Sequence, residues 1–127
     1  MPKRLKITAG GLTATAVLND SPTAEAIWNA LPIQARANTW GDEIYFTIPV
    51  KMAEEKAQAV VSLGDVGYWP PASAFCIFFG PTPMSQGNEI RPASPVNVVG
   101  RVEGDARAFR RVASGAKVAL ERSEGEA

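Results

Sequence analysis

The side chains able to do chemistry are few, and what is missing narrows the reactions. The 127-residue chain has no histidine and one cysteine, Cys76. Histidine is the commonest general base and metal ligand near neutral pH. A Ser-His-Asp triad, a Cys-His dyad and a histidine-ligated metal centre are therefore excluded within this chain. Cys76 lies inside the apolar run AFCIFF, with no adjacent base to lower its pKa, and reads as a buried, inert thiol. Asp42, Asp65 and Asp105 each follow a glycine. Gly-Asp pairs serve turns, and no carboxylates show the local spacing of a metal loop. No catalytic residue, metal or cofactor is expected.

Binding chemistry is better represented. Residues 64–83, GDVGYWPPASAFCIFFGPTP, hold five of the ten Phe, Tyr and Trp residues and a single charge, on Asp65. Phe75, Ile77 and Phe79 share one strand face, and Cys76 and Phe78 the other. Apolar residues on both faces mean that both are covered, one by core and the other by a helix, a loop or a ligand. Most of these rings read as core. Tyr68, Trp69 and Phe78 are the expected exceptions, because Tyr and Trp carry polar tips suited to site walls. Residues 80–94, GPTPMSQGNEIRPAS, form a long loop, which is either a plain surface connection or a functional rim. As a rim it would contribute Thr82, the adaptable Met84 and Arg91, the last as anchor for a carboxylate or carbonyl oxygen. Arg36 and Asn38 share a face with Gln34, while Asn97, Val99 and Arg101 share another. These polar residues either face water or, if their strands meet at one wall, place Arg36 and Asn97 where they grip a peptide carbonyl.

The elements that position these residues follow from periodicity. Leu5 and Ile7, then Leu12, Ala14, Ala16 and Leu18, alternate around Gly10-Gly11 as a β-hairpin does. In NDSPTAEAIWNALP the period changes. Asp20 or Ser21 can cap a helix, Pro22 fits its first turn, and Ala24, Ile27, Trp28 and Leu31 recur at helical spacing before Pro32. IQARANTW and EIYFTIPV read as strands, with Ile44, Phe46 and Ile48 on one face. The composition of KMAEEKAQAVVSLGD leaves it open between helix and strand. VGYW, AFCIFF and PVNVVGRVEG read as strands. Asp105 can cap a short helix bearing Ala106, Phe109 and Val112, and Val118 and Leu120 mark a closing strand. About eight short strands and one or two short helices predict a mostly-β, closed barrel, which leaves no exposed edge. One domain is expected over residues 1–127, with residues 122–127 a frayed tail.

Thirteen Lys and Arg balance thirteen Asp and Glu. A zero net charge argues against nucleic acid as a partner, because a basic excess supplies most of that affinity. The N-terminus has no long apolar run, so neither a signal peptide nor a membrane partner is expected. With its lone thiol, a cytoplasmic location is the natural reading.

Several ordered motifs resemble a small prokaryotic cyclophilin-like family of unknown function: GDEIYFTIP at 41–49, GDVGYWPP at 64–71, CIFFGPTP at 76–83 and PVNVVGRV at 95–102. The capped helix SPTAEAIWNALP at 21–32 fits as well. The resemblance spans nearly the whole chain and implies a compact cyclophilin-like barrel. True cyclophilins are peptidyl-prolyl isomerases whose site combines an arginine, a glutamine, aromatics and a histidine. This chain lacks the histidine and does not match that site residue by residue. Three functions follow as expectations. The first is a binding module taking a small molecule or an extended peptide in an aromatic and proline-lined groove. The second is a weak peptidyl-prolyl isomerase using Arg36, and the third an accessory or regulatory subunit of a larger bacterial enzyme. An oligomer is compatible with each.

Overall fold

The computed structural model describes residues 3–123. Strands β1 (Lys3–Ala9) and β2 (Leu12–Leu18) pair from Lys3↔Leu18 to Ala9↔Leu12 across the Gly10-Gly11 turn. Helix α1 (Pro22–Ala30) follows. The Ser21 hydroxyl accepts from the Ala24 amide at 3.2 Å, which caps the helix. Leu31 is already extended, ahead of Pro32. Next come β3 (Ile33–Arg36), β4 (Asn38–Thr39), β5 (Glu43–Thr47), β6 (Asp65–Trp69), β7 (Ala74–Phe78), β8 (Asn97–Val102) and β9 (Lys117–Arg122).

These strands form one sheet in the order β3-β9-β1-β2-β8-β6-β7-β5-β4. The two strands at its ends, β3 and β4, are separated in sequence by Ala37 alone. Both edges of the sheet are thus halves of one bent strand, and the sheet curls into a nearly closed barrel. Counting 33–39 as one strand recovers the eight that periodicity predicts.

The barrel is filled from inside. Leu5, Ile7, Ile44, Phe46, Phe75, Ile77, Val99 and Leu120 belong to a single buried cluster, with Phe46 stacked on Phe75 at 5.5 Å. Each end of β2 and β8 leads somewhere useful. These strands are antiparallel, β2 runs into α1, and β8 runs into a 3-10 helix at Ala106–Arg111. The two helices therefore stand at opposite ends of the barrel. Ala24 and Ile27 enter the core from one end, and Ala106 and Phe109 from the other. Asp105 caps the second helix as its position predicts, its carboxylate accepting from the Arg107 amide at 3.0 Å.

Three expectations are corrected. Residues 51–64 are neither helix nor strand but a strap. It touches the sheet's neighbourhood through two isolated bridges, Gln58 with Val96 and Val61 with Ile90. Good helix formers are overridden here by tertiary hydrogen bonds. The tail does not fray at 122: β9 includes Arg122, and the Ser123 amide donates to the Arg4 carbonyl at 2.9 Å. The remainder of that expected tail, 124–127, lies outside the described residues. Finally, Asn97, Val99 and Arg101 do not share a face. The pairing of β6 with β8 jumps from Val66↔Gly100 to Gly67↔Val98, a bulge that resets the alternation at Val99. Asn97 ends up buried and Arg101 exposed.

Candidate functional site

A second, smaller core lies on the outer face of β5, β7 and β6. Along β7, Phe75 and Ile77 point inward, while Ala74, Cys76 and Phe78 point outward into a cluster with Val61, Ile90 and Val96. The expectation that both faces of this strand are covered therefore holds. The cover is the strap and the loop that follows Phe79. Gly67 makes the close approach possible: a Cβ there would meet the Val96 side chain at 3.0 Å. Gly41, at φ +60°, lets the β4–β5 turn lie against the loop's start, where a Cβ would stand 2.8 Å from Pro83. The Asp42 amide donates to the Pro81 carbonyl at 2.9 Å, and the Phe79 amide to the Asp42 carbonyl at 2.9 Å.

Where this cover ends, a cavity of about 180 Å³ opens between Trp40, Glu43, Tyr45, Trp69, Pro92, Ala93 and Val96. Its wall on one side is the sheet: Glu43 and Tyr45 project outward from β5, opposite Phe78 and Cys76 of β7. On the other side is the end of the loop, fixed because the Trp69 indole N–H donates to Ser94 Oγ at 2.6 Å. Four larger depressions lie elsewhere: two of about 600 and 590 Å³, beside β3 and β9, and two of about 390 and 360 Å³, all more open and with charged residues on their walls. The smaller cavity is the more enclosed, and its lining is mostly aromatic and aliphatic.

Glu43 sets the electrostatics of this cavity. It is 5% exposed. Burial pushes its carboxyl from the ordinary 4.5 up to about 7, partly offset by a hydrogen bond with the Cys76 thiol. Burial and the neighbouring Glu43 in turn push the Cys76 thiol well up, so it stays protonated. The Ala74 carbonyl, 3.9 Å from that thiol, is at the outer limit of a sulfur hydrogen bond and competes weakly. Among the described residues, no Lys or Arg pairs with Glu43. Asp42, next to it in the chain, has Arg110 at 3.2 Å.

Of the eight residues expected to bind, only Trp69 lines this cavity. Tyr68 is inside the barrel, fully buried, its hydroxyl donating to the Val50 carbonyl at 2.5 Å and accepting from the Met52 amide at 3.1 Å. Adjacent strand residues face opposite ways, so Tyr68 and Trp69 cannot line one site. Asn97 is buried as well. Its amide donates to Thr23 Oγ1 at 3.1 Å and the Ala53 carbonyl at 3.0 Å, and its carbonyl accepts from the Glu55 amide at 2.8 Å. Phe78 is buried beneath the loop. Thr82 braces that loop: its hydroxyl donates to the Arg91 carbonyl and accepts from the Met84 amide at 3.2 Å. Met84 is exposed and outside the cavity. Arg91 grips Glu89 with Nε at 2.7 Å and Nη2 at 3.1 Å, which holds the Glu89 carboxyl below its usual range. Arg36 donates to the Gly115 carbonyl at 3.0 Å and lines one of the open grooves, which shares no residue with the cavity.

Trp40, Glu43, Tyr45, Pro92, Ala93 and Val96 were not singled out by their types or spacing. A signal for two of them was present. If the outward face of AFCIFF is covered, so are its cross-strand neighbours on EIYFT, which are Glu43 and Tyr45.

The family model for cyclophilin-like proteins matches residues 3–121. Among solved structures, the chain is similar to the solution structure of a hypothetical protein from Archaeoglobus fulgidus. The two are 45% identical, with 96% of this chain and 95% of that one covered and a TM-score of 0.83. No curated protein matches. With its nearly closed barrel and a match over almost its full length, the chain belongs to the cyclophilin-like family.

Proposed function

We propose that the protein is a binding module whose outer-face cavity, between Trp40, Tyr45 and Trp69, receives one side chain or ring of an extended peptide or small organic molecule. The cavity itself supports this reading: a partly enclosed, largely apolar space with two indoles, a phenol and one carboxyl suits a specific guest. At about 180 Å³ it is smaller than the roughly 300–1,000 Å³ of drug-sized pockets. A single side chain or ring fits it, and a large cofactor does not. An isomerase would need an arginine aimed at the bound amide. Arg36 lines a different groove and Arg91 is held by Glu89, so no observation favours that reading. No helix among the described residues is long and apolar enough to cross a membrane. The lone thiol of Cys76 fits a reducing, cytoplasmic setting.

Capped dipeptides and small cyclic amides and amines, titrated while the tryptophan indole N–H resonances are followed by NMR, test this reading. Guests are expected to shift the Trp40 and Trp69 signals. Ala93→Trp, which fills the cavity from its exposed wall, is expected to abolish the response without unfolding the barrel. Equal binding by wild type and the filled variant would place the guest elsewhere.

A further inference from the structure

We propose that this cavity selects an organic cation, an alkylammonium group carried either by a peptide lysine or by a free amine. The inference rests on the binding reading above and names the charge of the guest. Four polar residues are buried among the described ones: Thr23, Glu43, Thr82 and Asn97. Thr23, Thr82 and Asn97 spend their hydrogen-bonding groups on fixed protein partners. Glu43 does not. It faces the cavity, and the hydrogen bond that acts on its carboxyl comes from the Cys76 thiol, a weak donor.

A buried carboxylate is costly unless a positive group accompanies it. The ion pairs of the described residues all lie elsewhere, at Arg4–Glu103, Glu89–Arg91, Asp105–Arg107 and Asp42–Arg110. Burial keeps the Glu43 carboxyl protonated up to about pH 7, and above that value a cationic guest would supply the charge that no Lys or Arg among the described residues supplies. The rest of the lining suits the same guest. Trp40, Tyr45 and Trp69 line the same cavity as the carboxyl, and aromatic rings attract cations, indole most strongly. Pro92, Ala93 and Val96 supply the apolar wall that a butyl or lysyl stem covers. A neutral guest would take water from the carboxyl and return no charge. An ammonium returns it and donates hydrogen bonds to the two oxygens.

The test compares n-butylammonium, n-butanol and the capped tripeptide acetyl-Ala-Lys-Ala-amide, titrated at pH 8 into wild type and Glu43→Gln, with the indole N–H signals as readout. Butylammonium is expected to bind about tenfold or more tightly than butanol, and Glu43→Gln to erase that difference. A tripeptide tighter than butylammonium marks a peptide as the source, and one equal or weaker marks a free amine. Butanol binding as well as butylammonium in wild type would overturn the cation proposal and leave the cavity's binding role standing. No response to any probe would overturn both. The wild-type comparison decides the matter even if the Gln variant folds poorly.

Discussion

Asn97 and Glu43 are both nearly inaccessible polar residues on strands of the same barrel, and they serve opposite ends. Asn97 is paired with Tyr68 across β8 and β6. Together they hold the strap: Tyr68 binds backbone at Val50, just before it, and at Met52, and Asn97 at Ala53 and Glu55. Glu55 in turn accepts from the Thr23 amide at 3.2 Å and hydroxyl at 2.7 Å, which ties in the first turn of α1. Every bond in this cluster is local to the fold, and nothing is left over for a guest. Around Glu43 the pattern reverses. The rings and the carboxyl line a cavity, and burial raises the carboxyl pKa to about 7 with no Lys or Arg paired to it among the described residues. A satisfied buried network stabilises a fold, whereas a buried carboxyl that faces a cavity is what the proposed guest would answer.

Breaking the satisfied side should have the largest effect. Asn97→Leu removes three hydrogen bonds and strands the Ala53 carbonyl and the Glu55 amide, with an expected loss of about 4 kcal/mol in urea unfolding. A loss below about 1 kcal/mol would show that the strap is not held this way.

The Glu43 side should instead respond to pH. Its folded pKa of about 7 lies above the ordinary 4.5, so the folded protein holds a proton that the unfolded chain releases between those values. Unfolding then releases a proton, and stability falls as pH rises through that window and levels off above it. At about 1.4 kcal/mol per pH unit, the full loss is about 3 kcal/mol. Glu43→Gln should remove that slope, and an unchanged slope in the variant would assign it to other groups. Cys76→Ala should widen the window upward, because the thiol's hydrogen bond is what lowers the Glu43 value. NMR titration of the Glu43 carboxyl carbon would report it.

Tyr68→Phe leaves the Val50 carbonyl and Met52 amide without their partner, at a cost of about 2 kcal/mol by thermal unfolding. It should not alter binding of any guest at Trp69, despite the adjacent position. Ser94→Ala is the mildest change. It removes the acceptor for the Trp69 indole and should cost about 1 kcal/mol while loosening the cavity's rim, seen as faster hydrogen exchange at that N–H.

Much of the barrel was legible in the residues. Alternation marked the strands, Asp20 or Ser21 and then Asp105 marked the helix starts, with Ser21 the cap in the fold, and two glycines marked the first hairpin. The strap was not, since its course is set by Tyr68 and Asn97 rather than by its own propensities. The site was legible only as a region. Trp69 lies against the end of the loop, but Tyr68 next to it faces the other way, and Arg91 is spent on Glu89.

The local periods, the turns and the residues that must be covered on both faces of β7 follow from the order of residues alone. Period two says which side chains lie together, because successive Cβ atoms alternate by covalent geometry. Only the tertiary structure decided which of those faces became the interior, and which residues from β5 and the loop met across the other. That choice depends on sheet order, the bulge at Val99 and closure through Ala37. These are long-range facts, as is the absence of a cation beside Glu43 among the described residues.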